Sequence, residues 1–233
     1  VNEPHALWKL GSFNYLNDQD CNINKNNSAD IRKIFMNHTK SSILVEKSPT
    51  NIFRSNLVFS VFPDAKIVYL ERNPIRLIYS NYKRSLNNDS FKLSIILKKY
   101  LKETGTKELP NSLSSFSFFK QVKLKELPVI IIYCMRMFFI RQILNLLPFG
   151  PKLKQFAKIV KEKGLLFYHV EVFKQAQIEK EKFKKLYLNN MMTFQFEELM
   201  TDIAELKKLF DFTGLLITDA EIKDIIKNIN NHK

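Results

Sequence analysis

The stretch Lys66-Ile67-Val68-Tyr69-Leu70 is followed at once by Glu71-Arg72-Asn73-Pro74. Its apolar residues read as a strand buried on both faces. Asn73 supplies an N-cap, because its side chain can accept a free N–H of the first helical turn. Pro74, which lacks an N–H, suits the first helical position. The helix so started is expected to run to about Leu86. An earlier stretch has the same order. Ile43-Leu44-Val45 reads as a short buried strand ending at Glu46-Lys47, and Ser48-Pro49-Thr50 as a turn. Ile52, Phe53, Leu57, Val61 and Phe62 then recur at helical spacing until Pro63 stops the helix. Strand, helix, strand, helix with apolar strands calls for a parallel sheet covered on both faces, an α/β fold.

The remaining chain is read more coarsely. Residues 1–30 are polar and loop-like, and a helix is expected from about Asp30 with Ile31, Ile34 and Phe35 on its apolar face. Residues 87–126 read as a loop or lid, with a helical stretch over 91–101. Helices are expected over 127–147 and 165–188, and a third strand over Met191 to Phe196. Asp202 with Glu205, and Thr218 with Glu221, have the spacing of capping boxes for two terminal helices.

A chain of 233 residues with 45% apolar content can bury the core of one domain. Its formal net charge of +14 favours anionic partners: a phosphorylated cofactor, an acidic glycan, nucleic acid or a lipid surface. Nucleic acid ranks last, since no helix-turn-helix, zinc finger or basic region with interleaved aromatics is present. Lys180, Lys182, Lys184 and Lys185 alternate with polar residues and read as a solvated helix face. Cys21 and Cys134 form neither a metal-binding spacing nor a disulfide framework, so no metal is expected and the redox compartment stays open. Arg136 and Arg141 interrupt the apolar window Leu127–Leu147, which argues against a membrane span.

Arg72 falls at the carboxyl end of its strand, where open parallel sheets bind ligands, and the next helix turns its N-terminus toward the same place. An arginine can bridge two phosphate oxygens and a serine hydroxyl can add a third bond. Ser80 lies two turns beyond Asn73, on the cap's side of the helix. The alternative is that Arg72 is a structural ion-pair partner and Ser80 a surface hydroxyl.

Taken together, Glu46-Lys47-Ser48-Pro49-Thr50 and Phe62-Pro63-Asp64-Ala65-Lys66-Ile67-Val68-Tyr69-Leu70-Glu71-Arg72-Asn73-Pro74 with Ser80 resemble the sulfotransferase family. Leu147-Pro148-Phe149-Gly150-Pro151, Lys163-Gly164-Leu165-Leu166, Phe196-Glu197-Glu198-Leu199 and Phe212-Thr213-Gly214-Leu215 follow in the order of its bacterial-type members. The resemblance implies a three-layer, P-loop-like α/β fold with a short parallel sheet flanked by helices, in a single domain over 1–233. It implies transfer of a sulfuryl group from 3′-phosphoadenosine 5′-phosphosulfate to a hydroxyl or amine, with carbohydrate the default acceptor and no metal. By the same resemblance Arg72, Asn73 and Ser80 form the segment for the donor's 3′-phosphate, and Lys47 lies near the transferring sulfuryl. Glu3, in Asn2-Glu3-Pro4-His5, is the candidate general base and His5 the second candidate.

Two departures stand out. No Pro-Lys-Ser-Gly-Thr-Thr-like loop for the 5′-phosphosulfate occurs in residues 1–233, so the domain reads as incomplete at its N-terminus and the chain alone is expected to have little transferase activity. Val172-Phe173 falls where many relatives carry a Gln-Trp pair. The competing reading is a non-catalytic sulfotransferase-like module that holds an acidic glycan or nucleotide. Compartment is open: cytoplasm if the source is bacterial, Golgi lumen if eukaryotic.

Overall fold

The computed structural model describes residues 8, 17–19, 25–38, 43–87, 135, 138–140, 142–144 and 147–231. The expectations for Glu3, His5, both cysteines and the segment 88–126 lie outside the described residues. In chain order the elements are α1 (Lys25–His38), a 3-10 turn (Pro49–Phe53), α2 (Ser55–Val61), β1 (Ile67–Glu71) and α3 (Pro74–Leu86). Then come α4 (Phe156–Lys163), α5 (Leu165–Tyr187), a second 3-10 turn (Leu188–Asn190), β2 (Met191–Gln195), α6 (Phe196–Leu199), α7 (Ile203–Thr213) and α8 (Asp219–Asn231). Residues 135, 138–140 and 142–144, within the helix expected over 127–147, are also helical.

Among the described residues the sheet has two parallel strands, with Ile67 opposite Met191 and Glu71 opposite Gln195. Alternation along β1 decides what covers each face. Ile67, with Met191, packs on a core of Trp8, Ile31, Phe35, Leu57, Val61, Phe183 and Tyr187, drawn largely from α1, α2 and α5. Val68 turns the other way, onto Phe194, Leu199, Leu206 and Ile222 beside α7 and α8. Helices therefore lie on both faces of the strand pair, which establishes a helix-rich α/β architecture.

Two expectations need correction. Ile43-Leu44-Val45 is not a buried strand: Ile43 and Val45 are exposed, Leu44 packs on the core, and only Lys47 makes an isolated bridge. A run this short has one inward position under a period of two, too little for burial on both sides. The first described helix begins at Lys25 rather than near Asp30. Of the capping boxes, Thr218 and Glu221 form theirs in full: the Thr218 N–H donates to Glu221 Oε2 (2.8 Å) and the Glu221 N–H to Thr218 Oγ1 (3.3 Å). Asp202 accepts from the Ala204 N–H (2.8 Å), but its own N–H already donates to the Glu198 carbonyl, so Glu205 pairs with Lys208 instead.

A second core, around Phe53, Leu153, Phe156, Tyr168 and Val172, joins α4 to α5. Gly164, at φ 87°, makes the sharp junction between these helices, a left-handed conformation that favours glycine. Val172 is thus a packing residue. Two buried polar joints fasten this region. Arg54, 3% exposed, donates to Asp18 Oδ1 (2.8 Å) and to the Asp18 carbonyl (3.2 Å), while Asp18 Oδ2 accepts from the Lys152 N–H (2.7 Å). Ser85 Oγ donates to the Asn81 carbonyl (2.8 Å) and accepts from the Phe149 N–H (2.7 Å). Its one proton being so used, His169 Nε2–H donates to the same oxygen across 2.9 Å.

Replacement Asp18→Asn leaves the buried Arg54 guanidinium without its counter-charge, and a loss of roughly 3 kcal/mol in urea-unfolding stability is expected. Burial, aided by the positive charge of Lys152, pushes the His169 pKa down from 6.5 to about 4. Between those values the unfolded chain takes up a proton that the folded chain refuses, so this contribution to stability is complete above pH 6.5 and declines toward pH 4. The decline should approach roughly 2–3 kcal/mol, and His169→Gln should remove most of it from the pH dependence of urea midpoints.

Candidate functional site

Because β1 and β2 are parallel and end in register, their carboxyl ends form one edge, and the pairing continues past the sheet in the side chains. Glu71 Oε2 accepts from Gln195 Nε2 (2.8 Å). One residue on, the Arg72 guanidinium lies over the Phe196 ring, 5.1 Å from its centroid. At the next position the Asn73 N–H donates to Glu197 Oε1 (3.4 Å). Glu197 thus anchors the turn, the role its place after a strand suggests.

The face of β1 opposite Arg72 carries the clamp. Lys180, on α5, forms an ion pair with Glu71 Oε1 and places its ammonium 5.0 Å from the centre of the Tyr69 ring. Lys180 is only 8% exposed, which corrects its assignment to the solvated face; Lys182, Lys184 and Lys185 do lie exposed there. The hydrogen bond and charge of Lys180 hold the Glu71 carboxyl below its usual range. Burial, with the nearby Glu71 charge, pushes the Tyr69 hydroxyl up to about 12.

Asn73 caps α3 as its sequence predicts, accepting from the Arg76 N–H (3.1 Å), with Pro74 in the first turn. Its side-chain oxygen is therefore committed to the helix. Ser80 is half-buried on α3, and among the described residues no hydrogen bond joins it to Arg72. Arg72 itself is exposed and, among the described residues, makes no hydrogen bond or ion pair. It follows the carboxyl end of β1 and precedes the positive end of α3, an arrangement suited to an anion.

Lys47 lies exposed on a separate segment, just before the first 3-10 turn. Its neighbour Glu46 accepts from Trp8 Nε1 (3.1 Å) and Asn51 Nδ2 (2.9 Å), and burial raises its pKa against the lowering effect of the indole. The described residues thus bring Arg72 and Asn73 to one edge, with Ser80 along the adjoining helix. They also bring in Glu71, Lys180 and Phe196, which sequence reading missed. The signal for Lys180 was its helical spacing between Ala176 and Phe183, on the buried side of α5. Phe196 stood in one of the segments that resemble the family, but its meeting with Arg72 had no signal without the strand register.

Among the described residues no group of His, Cys, Asp and Glu could hold a metal ion, and no helix is long and apolar enough to cross a membrane. Replacement Glu71→Gln leaves the Lys180 ammonium buried without a carboxylate and should lower unfolding stability by roughly 2–3 kcal/mol. Lys180→Met should cost less, because Glu71 keeps Gln195 and partial contact with solvent; urea titrations of both variants check the order.

No curated protein and no solved structure matches the chain. Residues 14–118, a little under half of it, match the model of the sulfotransferase family. That segment contains Lys47, Arg72, Asn73 and Ser80, while Glu3, His5 and Phe196 lie outside it. Over residues 14–118 the chain is thus a match to the sulfotransferase family, which supports sulfuryl transfer as its general chemistry.

Proposed function

We propose that this chain serves transfer of a sulfuryl group from 3′-phosphoadenosine 5′-phosphosulfate to a hydroxyl or amine acceptor, with a carbohydrate as the first acceptor to test, on a P-loop-like fold. The observation that carries the reading is the exposed Arg72 guanidinium at the carboxyl edge of β1, beside the N-terminus of α3. In this reading Arg72 and Ser80 grip the donor's 3′-phosphate. Asn73 holds the turn that aims them, with its side chain on the helix and its N–H on Glu197.

The chemistry parallels phosphoryl transfer, in which a planar anionic group passes in line between two oxygens. The acceptor oxygen bonds to sulfur as the sulfur–oxygen bond to the 5′-phosphate breaks, and 3′-phosphoadenosine 5′-phosphate leaves. Lys47 neutralises charge at the transferring group. Glu3 takes the acceptor's proton, with His5 as the second candidate for that role; either works best with a pKa near the working pH.

Arg72→Ala should weaken binding of 3′-phosphoadenosine 5′-phosphate by about 10–100-fold in calorimetry, the loss of one or two charge-assisted bonds, and Ser80→Ala by less. Unchanged binding in both variants removes the phosphate assignment. In the full-length protein, Glu3→Gln should leave nucleotide binding intact and lower turnover at least 100-fold, on the order of a general base's contribution. Tight binding by the full-length protein with no turnover for any hydroxyl or amine acceptor would instead favour a nucleotide- or glycan-binding module.

A further inference from the structure

We infer that Phe196 is a positioning residue that makes the site selective for a 3′-phosphate; the inference rests on the functional reading above, in which Arg72 meets that phosphate. Beyond the last paired residues, Glu71 and Gln195, the next position places Arg72 against Phe196 on the face opposite Lys180. A guanidinium held over a ring gains from the cation–π attraction without spending its N–H donors, which stay available for bidentate phosphate binding. Rotation about its flexible stem is what the ring face opposes. The contact therefore reduces the ordering of the side chain that ligand binding would otherwise demand.

Phe196 is itself held. It opens α6, its predecessor Gln195 is bonded to Glu71, and its successor Glu197 accepts the Asn73 N–H. The ring and the guanidinium thus share one frame, built from the two strand ends. A ring just past β2 acting through an arginine just past β1 is a contribution that neither segment makes alone.

The test compares calorimetric affinities for 3′-phosphoadenosine 5′-phosphate and adenosine 5′-phosphate in wild type, Phe196→Leu, Phe196→Met, Phe196→Tyr, Arg72→Ala and the Arg72→Ala/Phe196→Leu pair. Leucine and methionine keep apolar bulk without the ring face, so at least one should fold. Each should reduce the preference for the 3′-phosphorylated nucleotide about three- to fivefold, leave affinity for adenosine 5′-phosphate unchanged, and have no further effect once Arg72 is alanine. Tyrosine should retain the wild-type preference. An equal loss for both nucleotides, or an undiminished loss in the Arg72→Ala background, overturns the positioning role. Unchanged preference in Arg72→Ala alone overturns the functional reading instead.

Discussion

The ion pair between Lys180 and Glu71 is the interaction on which the strand edge depends. A lysine with 8% exposure cannot leave water without a counter-charge, and Glu71 is the carboxylate that meets it. The same carboxylate accepts from Gln195, so one side chain ties β1 to α5 through one oxygen and to β2 through the other. Arg72 follows directly, and its backbone inherits that restraint.

Helix α5 distributes the restraint further. It packs against α2, α3, α4 and β2, and contributes Phe183 and Tyr187 to one core and Tyr168 and Val172 to another. His169, on the same helix, fastens the far end of α3 through Ser85. The candidate binding helix is thus tied at both ends, by the Asn73 cap at its start and by Ser85 near its finish. With its two ends fixed, Ser80 between them has little freedom relative to Arg72.

Local signals made part of this legible before any coordinates. Asn73-Pro74 marked a helix start, Thr218 and Glu221 a capping box, and the apolar run before Glu71 a strand, because each depends on neighbouring residues alone. Ile43-Leu44-Val45 misled for the complementary reason: an apolar run gives no information on whether a partner lies alongside it, and here only Leu44 turns inward. Lys180 misled because its composition spoke for solvent while its helical phase spoke for burial, and a carboxylate more than a hundred residues away decided the matter. The Arg72–Phe196 contact is set by strand register, a long-range property that no local pattern records. The candidate site was therefore readable where it lies on β1 and α3, and unreadable where α5 and α6 complete it.

The account stands on Arg72 and Ser80 meeting a single phosphate at the carboxyl edge of β1. A crystal structure with 3′-phosphoadenosine 5′-phosphate bound tests this most directly. The account predicts the 3′-phosphate within hydrogen-bond distance of the Arg72 guanidinium and the Ser80 hydroxyl, with Arg72 still over the Phe196 ring. A nucleotide bound elsewhere, with both side chains facing solvent, would contradict it.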